Sequence, residues 1–283
     1  MKKTLLKTTV VLVIMLSTGL YANSQTSSFK GRKKGEAYVV WGWNLDAFTK
    51  SNISFKGADY DFKLYKVKAH HTPSPVSFKN YVRLDHITYP QTNLRIGYFI
   101  KDNFSISIGD DHMKYVMDQN QTVRMKGTIS REGAHKGTYD GNKLMTTDFL
   151  TFEHTDGLNY INVEAEQYFN WYRSANRKLI VNGLLGAGVG MLLPKTNAKL
   201  LDYERNDRFH VSGFGVAAKV GAEVILLKHI MIRFENKYGY INMPDIILHQ
   251  KGIEGRAKQA FFFTQFNGMV GANFMIGGGK KSK

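Results

Sequence analysis

From Gln259 to Ile276 apolar and polar positions alternate along the chain. Ala260, Phe262, Thr264, Phe266, Gly268, Val270, Ala272, Phe274 and Ile276 share one face, and Gln265, Asn267 and Asn273 share the other. A period of two is strand geometry. The run is longer than an average soluble strand of about five or six residues. It suits a tilted membrane-spanning strand of about 9 to 11 residues that continues into a loop, with one face toward lipid and one toward a polar interior.

Seven further runs carry the same signal, near Glu36 to Phe48, Thr92 to Ile100, Asn103 to Met117, Leu158 to Tyr172, Lys178 to Leu193, Phe209 to Leu226 and His229 to Tyr240. Their connections come in two kinds. Lys101 with Asp102, Arg173 to Arg177, and Leu227 with Lys228 are tight, whereas Thr49 to Gln91, Asp118 to Gly157, Pro194 to Arg208 and Ile241 to Lys258 are long. Short periplasmic turns opposite long extracellular loops are the asymmetry of outer-membrane barrels, and an even strand number returns both termini to the periplasm. The predicted fold is an all-β, antiparallel up-and-down transmembrane barrel of eight strands. Ten or twelve strands stay open, because Tyr60 to Ala69 and Leu144 to Glu153 are also strand-like. The prolines Pro73, Pro75, Pro90, Pro194 and Pro244 fall between runs, where no ladder amide is needed. Glycine and aromatic content add to this picture, since 27 Gly suit a narrow, curved sheet and 15 Tyr, 18 Phe and 3 Trp suit interfacial girdles. Trp41, Trp43, Trp171, Phe262, Phe266 and Phe274 are the predicted interfacial aromatics.

Parity along each run selects the inward side chains. In Leu158 to Tyr172, Ile161, Val163, Ala165, Phe169 and Trp171 face out while Glu164 and Glu166 face in. The same count turns Arg95, Lys219 and Glu223 inward, together with Arg233, Glu235 and Lys237. An eight-stranded barrel is only wide enough for its side chains to fill it, so these groups are expected to pair as a packed ionic network rather than line a wide pore. Gly109 and Asp110 interrupt the alternation of Phe104, Ile106 and Ile108, which predicts a β-bulge near the rim.

The first residues predict export. Lys2, Lys3 and Lys7 precede an apolar run from Val10 to Leu16, and Ala22 and Ser24 supply a small-residue cleavage site before Gln25. The expected organisation is a signal peptide over 1–24, a basic periplasmic tail over 25–34, the barrel over 35–276 and a basic tail over 277–283. The formal charge of +16 falls to +13 once the three lysines of the first segment are removed. Basic tails suit anionic lipid head groups; nucleic acid is not an expected partner of an exported barrel. With no cysteine there is no disulfide framework and no thiolate chemistry.

Catalytic and metal signatures are weak. Glu164 and Glu166 lie about 6 to 7 Å apart on one strand, without a cleft to serve. The segment 152–166 sets His154, Thr155 and Asp156 before two glutamates but lacks the serine of a lipid A deacylase. His70 with His71, Asp110 with Asp111 and His112, and His154 with Asp156 are clusters that want a third ligand at a telling spacing. No catalytic residue, metal or cofactor is therefore assigned.

Four segments carry a family resemblance: Trp41-Gly-Trp43-Asn44, the stretch from Arg95 to Asn103, that from Gly109 to Val116 and that from Phe152 to Tyr160. Together they resemble small outer-membrane β-barrel proteins of Bacteroidota. The resemblance implies the barrel and its outer-membrane address, and no activity. The last strand also resembles the signal read by the barrel-insertion machinery, with Gly271, Phe274 and Ile276 in register, although Met269 and the trailing GGGKKSK depart from it. The expectation is a monomer with a structural or surface-interaction role, in contact with outer-membrane lipid and lipopolysaccharide. The alternatives are a narrow porin-like or hydrophobic-solute conduit, a lipid A deacylase-like hydrolase and a soluble periplasmic lipocalin-like binder.

Overall fold

The computed structural model describes residues 31–72, 92–206 and 208–276. A compact unit begins at Gly31. The expected signal peptide, Pro73, Pro75 and Pro90, and the trailing GGGKKSK lie outside the described residues.

Among the described residues fourteen strands follow one another: β1 (Glu36–Phe48), β2 (Ser51–Gly57), β3 (Tyr60–Val67), β4 (Ala69–His70), β5 (Thr92–Lys101), β6 (Phe104–Met117), β7 (Thr122–Ile129), β8 (Gly137–Leu144), β9 (Leu150–Arg173), β10 (Leu179–Pro194), β11 (Asn197–Leu200), β12 (Gly213–Leu226), β13 (Ile230–Ile247) and β14 (Gly255–Met275). Eight of them close a ring in the order β1-β5-β6-β9-β10-β12-β13-β14, and β14 pairs back onto β1. The closing ladder runs unbroken and antiparallel from Glu36↔Met275 to Phe48↔Phe263. Closure leaves the ring without a free edge, which is what lets a sheet cross hydrocarbon with its backbone satisfied.

One end of the ring carries the tight connections. Asn103 adopts φ 59 between β5 and β6, and Leu227 and Lys228 adopt φ 52 and 74 between β12 and β13. Two successive left-handed residues match the right-handed twist of a hairpin, a geometry that usually selects Asn-Gly. The other end rises beyond the ring. There β14 leaves β1 at its upper residues and pairs with β2, and the sheet continues through β3, β7 and β8. β11 adds to the top of β9 and β4 to the top of β6. Tyr60–Val67 thus pairs above the ring, and 144–153 is not one strand: it holds the end of β8, a turn, and the start of β9.

Outward side chains of the ring form an apolar belt. Leu45, Ile96, Ile108, Val163, Val189, Phe234, Phe266 and Val270 are among the large apolar residues left exposed. A contiguous exposed apolar surface of this extent marks contact with a nonaqueous phase. Trp171 and Phe274 sit near the turn end of the belt and Phe262 near its loop end, where its ring meets that of Tyr240 at 5.1 Å. Trp41 and Trp43 are a correction to the expected girdle. They project from the middle of β1, opposite Val270 and Gly268, and make an edge-to-face pair at 5.0 Å within the belt rather than at its margin. Phe266, opposite Leu45, also lies inside the belt.

The expected bulge at Gly109 and Asp110 is absent. β5 and β6 pair regularly through Arg95↔Gly109, Leu94↔Asp110 and Asn93↔Asp111. The irregularity in β6 falls later, between Met113 and Tyr115 against β9. Polar residues had imitated a break in alternation, whereas the backbone alternation runs on through them.

Candidate functional site

The interior is built in layers from the turn end upward. Arg32, placed by the sequence in the basic tail over 25–34, is fully buried at that end. Its amide donates to Asn103 Oδ1 at 2.8 Å, and the Asn103 amide donates back to its carbonyl at 3.2 Å, so the residues before β1 are tied to the β5–β6 turn. The guanidinium lies 4.4 Å from the Phe99 ring centroid and 5.8 Å from that of Tyr168, with Glu36 at 3.3 Å and Glu223 at 3.6 Å. A cation held between aromatic faces and carboxylates closes this end of the lumen.

Above it lies the ionic network. Lys219 Nζ is placed 2.7 Å from Glu164, 2.6 Å from Glu166 and 2.9 Å from Glu235. Arg233 reaches Glu223 at 3.0 Å, Glu235 at 3.5 Å and Glu166 at 3.6 Å. Arg95 pairs with Glu164 at 2.9 Å, and Lys237 pairs with Glu164 at 2.7 Å and with Asp111. The hydroxyls of Tyr38 and Tyr168 and the Ser105 hydroxyl all donate to Glu166, the last two at 2.6 and 2.8 Å. Counted with Arg32, five cations face the five carboxylates of Asp111, Glu164, Glu166, Glu223 and Glu235, and every one of these side chains is nearly or wholly buried. Burying a single ion in such a place costs several kcal/mol, which only close pairing and added hydrogen bonds can offset.

Small residues make room for it. β10 presents Gly186 and Gly188 to the interior. A Cβ at Gly186 would come within 2.8 Å of Lys219 Cε, and one at Gly188 within 2.5 Å of Glu164 Cγ. The long charged side chains of β9 and β12 therefore cross a lane that any larger residue on β10 would block.

Amides, with the buried Asp46 among them, succeed the ion pairs. Asn44 bonds Asn93, which donates to Gln265 Oε1 at 3.2 Å. Beyond them the interior becomes apolar. Tyr115 stacks on Phe261 at 5.1 Å, Phe55 stacks on Phe62 at 5.0 Å, and Phe152 meets Phe55 edge-on at 5.7 Å. The ring and the raised strands share this core, because Met113, Leu158, Ile241 and Phe263 pack with Ile53, Leu64, Met125 and Phe149.

The structure brings Arg95, Glu164, Glu166, Lys219, Glu223, Arg233, Glu235 and Lys237 into one network. Sequence reasoning did not include Arg32, Asp111, Ser105 or Tyr38. Asp111 had a detectable signal, because continuing the alternation of β6 places it inward with Ser105 and Ser107. Arg32 had none, since it precedes the first strand.

The residues weighed for catalysis do not converge. His154 is buried between Tyr115 and Phe152, bonded to Thr196 Oγ1 at 2.9 Å, while Glu164 and Glu166 are committed to cations lower down. Thr155, the next residue of the same strand, points to the other face. Among the described residues no three His, Asp or Glu side chains gather as a metal site. His70 pairs with Asp118 at 2.6 Å instead.

A closed antiparallel ring, an outward apolar belt, tight turns at one end and raised strands at the other define a transmembrane β-barrel of the general outer-membrane type. No family model matches the chain, and no curated protein matches it. Among solved structures it is similar to the outer membrane protein OprG from Pseudomonas aeruginosa, at 13% identity over 87% of this chain and 99% of that one, with a TM-score of 0.37. It is also similar to Ail, the attachment invasion locus protein of Yersinia pestis, at 13% identity over 85% and 99%, with a TM-score of 0.33. Neisserial surface protein A is a further match, at 11% identity over 82% and 98%, with a TM-score of 0.30. No residue role passes from these proteins to this chain.

Proposed function

We propose that the protein is an integral, monomeric barrel of the cell outer membrane, exported by its N-terminal signal, with a filled lumen and a structural or surface-interaction role. In this reading the tight turns are periplasmic, the raised strands are extracellular, and the chain is one of the small Bacteroidota barrels its motifs resemble. The observation that carries it is the mutual neutralisation of five buried cations and five buried carboxylates across the lumen, capped on one side by Arg32 and on the other by aromatic rings. A conducting pore keeps its charges solvated along a water column, and a hydrolase exposes its acid and base to substrate; here these groups are spent on one another. Function then resides in the extracellular sheet, in contact with outer-leaflet lipid and with whatever the cell surface meets.

The test is made on the full chain refolded into planar bilayers and, in parallel, floated with vesicles. Co-flotation without single-channel steps at either polarity is the expected result. Regular ohmic steps would overturn the filled lumen, and failure to float would overturn the barrel's membrane address.

A further inference from the structure

The sheet above the ring is two-faced. β2, β3 and β7 turn Ile53, Phe55, Phe62, Leu64 and Met125 inward, and turn Lys56, Lys63, Arg124 and Lys126 outward. Most of these outward cations lie well above the belt, but one group is placed at its margin. Thr49 locks to Phe262 in both directions, its amide donating to the Phe262 carbonyl at 2.9 Å and its hydroxyl accepting from the Phe262 amide at 3.0 Å. Phe262 is an exposed aromatic at the loop end of the belt. Lys50 follows Thr49 directly, and β3 returns to the same level, with Val67 opposite Ser51.

At that return the pairing of β2 and β3 slips by one residue, and Lys66 takes φ 57 with its amide donating to Asn52 Oδ1 at 3.0 Å. The bulge leaves Val67 buried and both Lys66 and Lys68 exposed. Gln121 then fixes the Lys68 backbone, accepting from its amide at 2.9 Å and donating to its carbonyl at 2.9 Å. Lys50, Lys66, Lys68 and Arg124 border a concavity of about 510 Å³ with Tyr65 and Gln121 in its wall and no carboxylate in its lining. The nearby acids are occupied, Asp140 by Arg124 at 2.8 Å and Asp118 by His70 at 2.6 Å. Among the described residues no carboxylate pairs with Lys50, Lys66 or Lys68.

We propose that this concavity binds the phosphate-bearing head group of an outer-leaflet glycolipid, whose acyl chains lie on the belt below Phe262. The inference rests on the reading of the chain as a membrane barrel. Position decides the occupant. Cations with no carboxylate partner among the described residues gain most from an anion brought to them at the membrane boundary, where the polar surface replaces the belt, and a lipid satisfies the lysines and the belt together. A soluble anion satisfies only the lysines. The bulge supplies the geometry, since alternation continued from Phe62 and Leu64 would have turned both Lys66 and Lys68 inward.

The experiment uses the full chain, delipidated in detergent, mixed with phosphorylated lipid A or with the same lipid A after phosphatase treatment, and read by native mass spectrometry. Wild-type protein is expected to retain one phosphorylated lipid and to lose it about tenfold or more readily after dephosphorylation. The triple variant Lys50→Gln, Lys66→Gln, Lys68→Gln is expected to match that loss, and a control variant Lys199→Gln, Lys251→Gln is expected to retain the lipid. Single variants at Lys66 and Lys68, checked for folding by heat-dependent gel mobility, serve if the triple variant does not fold; the phosphatase arm needs no variant. Equal retention by the triple variant, indifference to phosphatase, or complete displacement by millimolar inorganic phosphate overturns the proposal. Failure of the underlying barrel reading is seen separately, as protein that does not float with vesicles.

Discussion

The two halves of the interior solve the same packing problem with opposite chemistry. From the tight turns up to Asp111 and Lys237 the space is filled by ions and hydroxyls that face one another across the ring. From Tyr115 to the raised strands it is filled by rings and aliphatic chains, as in a soluble β-sandwich. The difference follows from what lies outside each half. The lower half is surrounded by an apolar belt, so burial of apolar side chains inside it would gain little against lipid, and directional polar pairing is what fixes register there. The upper half carries Lys56, Lys63, Arg124 and Lys126 on its outer face, and its core is assembled by the ordinary hydrophobic effect.

The sharpest way to break this comparison is Lys219→Met. It removes the one cation that Glu164, Glu166 and Glu235 share, leaving five buried carboxylates to four cations, and is expected to cost about 3 to 5 kcal/mol, read as a large fall in the temperature at which heat-dependent gel mobility changes. Leu64→Ala tests the other half. A cavity in the upper core is expected to cost about 2 to 3 kcal/mol and to admit protease into β2, β3 and β7 while the ring keeps its gel mobility. If the ring melts with the extension, the two interiors are one cooperative unit.

Acid provides a subtler separation. His249 lies above the ring, buried, stacked on Tyr203 at 4.3 Å and bonded to the Tyr60 hydroxyl at 2.7 Å. Burial pushes its imidazole down to about 4, against the attraction of Asp59. A histidine held neutral in the fold takes up its proton at higher pH when unfolded, near 6.5, so its contribution is fully present above about 6.5 and is lost as pH falls toward 4. Proteolysis of the raised strands is expected to increase over that window, and His249→Gln is expected to flatten the change. The smallest effect concerns the β12–β13 turn. Lys228→Gly relieves one left-handed residue and is expected to raise stability by about 0.5 kcal/mol in denaturant titration; a loss would show that the Lys228 side chain matters to the turn.

Alternation made much of the ring legible, because a period of two assigns each residue to a face without reference to any other strand. Eight long runs, their tight and long connections, and the inward placement of Glu164, Glu166, Lys219 and Arg233 can all be read from the sequence in this way. The same rule extends to Asp111, which was hidden only because its polar neighbour Asp110 looked like a break. It says nothing about height along the barrel, which is why Trp41 and Trp43 were expected at an interface and stand mid-belt.

What the sequence determined by itself is therefore local: strand periodicity, the two faces of each strand, and the turns. The tertiary structure alone decided which strands meet and at what register. Pairing of β14 with β2, the capture of Arg32 by Phe99 and Glu223, and the bulge that exposes both Lys66 and Lys68 join residues far apart in the chain or shift one strand against another. Such contacts are set by ladder geometry and by the closing of the ring, and a residue's own neighbours in sequence carry no record of them.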